Sequence, residues 1–132
     1  MKGKINQTAF DPEIPQGGQI KEIVNWQASV PDSHTFALVS VYGTGSSIQE
    51  IYDSMVAMGA IAVNTTSASR TDDIFTLIPE DAPIGTYSCA TIICESYNGG
   101  FQNVYDSKID ASVLTIVPGL GAKIISTSFS KV

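Results

Sequence analysis

The sequence predicts an all-β fold, a sandwich of two antiparallel sheets, from three observations. Apolar residues recur mainly with a period of two, the mark of half-buried strands. Clusters of Gly, Pro, Asn, Asp and Ser separate the apolar runs and supply backbone angles that strands do not use. The chain has 132 residues, 43% of them apolar and 15% charged, which suits one core in one domain under a weakly charged coat. A closed barrel is the alternative way to close the same strands.

Taken in order, residues 19–30, "QIKEIVNWQASV", place Ile20, Val24, Trp26, Ala28 and Val30 on one face. Gln19, Lys21, Asn25, Gln27 and Ser29 take the other face, with Ile23 as the exception. Glu22 falls on the apolar face near the start of the run, a position that suggests the sheet margin. Residues 34–42, "HTFALVSVY", are apolar on both faces and read as a central strand. In "SSIQEIYDSMVAMG", Ser47 precedes Glu50 by three, a capping-box spacing. Ile48, Ile51, Tyr52 and Met55 follow at helical spacing, so a short helix is expected over 47–58, with an edge strand and crossover loop as the alternative. Strands follow at 73–78 ("DIFTLI") and 86–97 ("TYSCATIICESY"). Asn98-Gly99 predicts a type I′ hairpin into a strand starting near Phe101. The run 108–117, "KIDASVLTIV", closes a domain spanning 1–118.

The stretch "PEDAPIGTYSC" puts a turn before Tyr87, and Cys89 two residues after it. It resembles the tyrosine corner of immunoglobulin-like (Ig-like) sandwiches, where a tyrosine hydroxyl bonds back to the backbone of the corner. The wider "FTLIPEDAPIGTYSCATI" is similar to strand E, corner and strand F of bacterial, archaeal and phage Ig-like modules. "FDPEIPQGGQIKEIVNW" resembles their strand A, turn and strand B. The resemblance spans residues 5–117 and implies an Ig-like sandwich with Trp26, Phe36, Phe75, Tyr87 and Cys89 near the core centre. One departure is plain: the strand B candidate has no cysteine. Cys89 and Cys94 lie five apart on one strand, about 16 Å in extended chain and on opposite faces. Disulfide geometry needs Cα atoms within about 7 Å, so no disulfide is expected. The two read as small buried hydrophobes, with a reactive or metal-binding thiol as the weaker reading.

Thirteen acids against seven bases leave a net charge of −6 without a basic cluster, which argues against nucleic acid as a partner. No apolar stretch follows the basic start, so the chain is either made without a secretory signal or begins after one was removed. The longest weakly polar run, 55–63, is about half the length of a membrane helix, so no membrane span is predicted. The single histidine, His34, sits in a turn with Asp32 and Ser33, and neighbours in sequence do not make a triad. Two separated cysteines and one histidine do not make a zinc site, and no phosphate-cradling glycine loop is present. The paired acids Asp72-Asp73 and Glu80-Asp81, with Asp11, Glu13, Asp106 and Asp110, read as solvated turn acids, with calcium as the alternative. No cofactor is expected. Asn6 and Asn64 stand in glycosylation sequons. Tyr97 and Tyr105 flank the "NGG" turn as a contact loop, or else pair across strands.

"KINQTAF" (4–10) and "KIISTSF" (123–129) share Lys, Ile, Thr and Phe at matching positions, at an offset of 119 residues. Residues 119–132 therefore read as a linker and strand-like tail. They are either the start of a second repeat or an assembly strand built on Ile124, Ile125, Thr127 and Phe129. The expected function is a non-enzymatic structural or adhesion module. It would pack against other copies of itself or neighbouring modules in a virion, a filament or a cell-surface array. A carbohydrate- or calcium-binding module and an accessory domain of a larger enzyme are the alternatives.

Overall fold

The computed structural model describes residues 3–28, 35–64 and 69–119. The chain runs β1 (Gly3–Phe10), β2 (Glu13–Pro15), β3 (Gln19–Ala28), β4 (Thr35–Gly43), α1 (Ile48–Asp53), β5 (Ala57–Asn64), β6 (Ser69–Leu77), β7 (Gly85–Tyr97) and β8 (Phe101–Val117). One sheet has the order β1-β3-β6, the other β2-β8-β7-β4-β5. Neighbouring strands are antiparallel except β2 and β8, which run parallel from Glu13↔Thr115 to Pro15↔Val117. His34 and the tail residues Ile124, Ile125, Thr127 and Phe129 lie outside the described residues.

Alternation explains the layering. Ile20, Val24 and Trp26 of β3 point inward, as do Phe36, Leu38 and Tyr42 of β4, and Tyr87, Cys89 and Ile93 of β7. These inner faces meet in two clusters. One surrounds Trp26 and Phe36, the other Tyr42, Tyr87 and Leu114. The opposite face of the five-stranded sheet is also apolar where α1 covers it, with Val39, Val41, Ala90, Ile92 and Cys94 packed under Ile51. Cys89 and Cys94 are both buried and unbonded, one on each face of β7.

The helix is shorter than the expected 47–58. Ser47 caps it, its Oγ accepting from the Glu50 backbone N–H at 3.1 Å, so the capping-box spacing locates the start. The helix ends at Asp53 because strand pairing captures the chain soon afterwards: the Val56 N–H donates to Tyr42 O at 2.8 Å, and β5 continues antiparallel to β4. The hairpin between β7 and β8 also differs from the type I′ expectation. Tyr97 pairs with Phe101, which leaves a three-residue loop in which Gly99, and not Asn98, has positive φ.

Two core assignments are corrected. Phe75 is 52% exposed, not central, because the inward positions of β6 are Ile74 and Thr76. The pairing with β3 sets that phase, with Glu22 opposite Ile74 and Ile20 opposite Thr76, and Gly59 of β5 accommodates it, because a Cβ there would collide with Thr76 Oγ1. Glu22 is not at a sheet margin. It is 0% exposed, enclosed between the sheets.

Candidate functional site

Glu22 stands in the middle of the inward face of β3, and the facing sheet is built to receive it. Ser40 of β4 and Thr91 of β7 are cross-strand partners, so their hydroxyls lie side by side on the inner face. Thr91 Oγ1 donates to Glu22 Oε2 at 2.6 Å, and Ser40 Oγ donates to Oε1. Cys89 Sγ lies 3.7 Å from Thr91 Oγ1 and 4.0 Å from Glu22 Oε1. One carboxyl thus bridges the two sheets through two hydroxyls.

Burial dominates the electrostatics of this layer. Desolvation pushes the Glu22 carboxyl up to about 7; the Ser40 and Thr91 hydrogen bonds oppose the rise, Asp110 adds to it and Lys108 reduces it. Burial and then the nearby Glu22 charge raise the Cys89 thiol, so it stays protonated and is a poor nucleophile. The Tyr42 hydroxyl is likewise raised by burial, and its Oη has no hydrogen-bond partner among the described residues. All these groups are sealed from solvent. Their arrangement can fix how the sheets face each other and can bind or release a proton, but an external solute has no contact with it.

The β1 edge closes on β8 through a second polar set. The Ile5 N–H donates to Asp106 Oδ2 at 2.7 Å, Thr8 Oγ1 donates to Asp110 Oδ2 at 2.8 Å, and Lys108 Nζ donates to Thr8 Oγ1 at 2.8 Å while pairing with Asp110. Asp106 and Asp110, expected as solvated acids, therefore serve as structural acceptors.

The remaining predicted residues separate into distinct places. Tyr87 Oη donates to Pro83 O at 2.6 Å, closing the corner before β7. Trp26 packs edge-on against Phe36 at 5.2 Å, and its Nε1 donates to Asp72 Oδ2 at 2.7 Å. Tyr97 shares a 2.8 Å hydrogen bond with Tyr52 of α1, and both rings pack on Phe101 on the outer face. Tyr105 packs inward on Phe36 at 5.5 Å. Tyr97 and Tyr105 thus do not form one contact loop. Ile93 pairs with Asp106 and Cys94 with Val104, which leaves Tyr105 as the extra residue of a β-bulge that turns its ring to the core. Among the described residues, no three His, Cys, Asp or Glu side chains gather in a metal-binding group.

Sequence reasoning missed the Glu22 layer. The signal was present as three polar residues, Glu22, Ser40 and Thr91, each at an inward position of an otherwise apolar strand.

No protein-family model matches the chain, and no curated protein matches it. Among solved structures, the chain is similar to a β-glucosidase from Listeria innocua at 9% identity and a TM-score of 0.49, over 89% of this chain and 16% of that one. It is also similar to the sporulation control protein Spo0M from Bacillus subtilis at 15% identity and a TM-score of 0.38, over 87% of this chain and 50% of that one. The chain thus spans at most half the length of either protein.

Proposed function

We propose that this chain is an Ig-like structural or adhesion module that works by packing against other copies of itself or neighbouring modules, in a virion, a filament or a cell-surface array. The observation that carries this reading is the outer face of the three-stranded sheet. Ile23 (38% exposed), Phe75 (52%) and Leu77 (69%) all project from it. Large apolar side chains grouped on one face mark an interaction surface. The interior supports the same reading: Glu22, Cys89 and Tyr42 are buried between the sheets, out of reach of an external solute. The Tyr87 corner and the two-sheet order support the Ig-like assignment.

The test is light scattering of the full chain over a concentration series. Association that rises with concentration and weakens in a Phe75→Ser, Leu77→Ser variant is expected. A chain that stays monomeric at about millimolar concentration overturns the reading.

A further inference from the structure

We propose that residues 123–129 of one copy fill the slot that β1 occupies in a second copy, so that the tail is an exchangeable β1. The inference rests on the self-packing reading above and names the surface and the partner.

β1 shows which of its residues matter. A register shift between Ile5 and Gln7 interrupts the regular alternation, so the side chains that reach inward are Ile5, Thr8 and Phe10, spaced three and then two apart. Ile5 is 6% exposed and belongs to the Trp26 cluster. Thr8 exchanges hydrogen bonds with Asp110 and Lys108. Phe10 stands edge-on to Tyr42 at 6.4 Å. The tail repeats this irregular spacing with the same residue types: Ile124, Thr127 and Phe129. Lys123 matches Lys4 as well. The positions that differ, Asn6 against Ile125, Gln7 against Ser126 and Ala9 against Ser128, are all exposed in β1. Apart from the exposed Lys4, the identities fall on the side chains that reach inward. At the slot's entrance Ala122 replaces Gly3, where an added Cβ would lie 2.7 Å from Ile93 Cδ1, the movable end of a side chain.

Reach decides whose slot is filled. Gly119 is held near the Gln19 end of β3 by its N–H to Gln16 Oε1 at 3.3 Å. In the β1 register Lys123 must lie beside Gln27, the partner of Lys4. Eight residues of strand separate Gln19 from Gln27, about 26 Å. Four residues from 119 to 123 extend at most about 14 Å. Four residues thus fall short of the chain's own slot, so the proposed partner is a second copy. The neighbour's β1 competes as a tethered strand, at an effective concentration of about 1 mM. Exchange is thus favoured where copies are packed at comparable density, as in a coat or a filament.

Two single substitutions in the full chain test this. Ala9 faces Ile23, so Ser128 should face Ile23 of the second copy. A chain with Ile23→Cys mixed with a chain with Ser128→Cys is expected to form a mixed disulfide, in a yield that rises toward about 1 mM. Gln27→Cys should link to Lys123→Cys and not to Ser128→Cys. Adding Ile124→Ala and Phe129→Ala to the Ser128→Cys chain should lower the yield more than about tenfold. No mixed link, or equal linking in both registers, overturns the inference. Light scattering on the same samples separates the cases: association without a register-specific link leaves the packing function standing, whereas a monomer removes both.

Discussion

Four residues along β3 separate two different ways of joining the same pair of sheets. At Trp26 the junction is apolar: the indole meets Phe36 edge-on, with Ile5, Leu38, Val63, Ile74 and Ile93 around them. At Glu22 the junction is a carboxyl held by Ser40 and Thr91, with a thiol and, among the described residues, a tyrosine hydroxyl without a hydrogen-bond partner close by. Both sites are 0% exposed. Dispersion and burial at Trp26 reward any close fit. Hydrogen bonds at Glu22 reward only one placement of β3 over β4 and β7, and they couple folding to the proton. The apolar end should therefore supply most of the stability, and the polar end its pH dependence.

The largest expected effect breaks the apolar end. Trp26→Ala removes the largest buried side chain and leaves the Asp72 carboxylate without its indole donor, so a loss of about 3–5 kcal/mol in urea unfolding is expected. A loss below about 1 kcal/mol would show that this end does not dominate.

The next effect belongs to the polar end and is read by pH. The folded pKa of Glu22, about 7, lies above its ordinary value of 4.5, so the folded state holds the proton more tightly than the unfolded chain. Its contribution to stability is complete below pH 4.5 and is lost as pH rises through 7. The shift corresponds to about 3 kcal/mol across that window. Glu22→Gln keeps the shape and removes the titration, so its unfolding free energy should be flatter from acid to neutral pH. An unchanged slope would mean that Glu22 does not titrate there.

How much of this was legible depended on whether a feature is local. Alternation placed Trp26 in the core correctly, and the Ser47–Glu50 spacing located the start of α1, because both depend on neighbours within a turn or a strand. The corner before β7 was legible for the same reason: Tyr87 bonds to Pro83, four residues back. Glu22 was placed on the right face but at the wrong depth, since depth depends on how far the opposite sheet overhangs β3. That Ser40 and Thr91 would lie side by side was set by the β4–β7 register, which no single strand reveals. Phe75 was misplaced because the resemblance that put it in the core does not fix which residues of β6 face inward. That phase is set by the pairing of β6 with β3, which puts Ile74 opposite Glu22 and Thr76 opposite Ile20, and Tyr105 was turned inward by a bulge that leaves no mark in composition.

The smallest expected effect separates two tyrosines that composition treats alike. Tyr87→Phe removes the donor to Pro83 O, a bond of 2.6 Å that ties the corner to β7, and should cost about 1 kcal/mol. Tyr42→Phe removes a buried hydroxyl that has no partner among the described residues, while the ring keeps its edge contact with Phe10. Removing an unsatisfied buried group also removes its desolvation penalty, so Tyr42→Phe should be neutral or stabilising by up to about 1 kcal/mol. Thermal unfolding of the two variants at a pH well below 7, where Glu22 is protonated, gives the comparison directly. Equal destabilisation by both would mean that the Tyr42 hydroxyl is bonded within the Glu22 layer. The polar junction would then be a closed network of four side chains, not a carboxyl held by two hydroxyls beside an idle third.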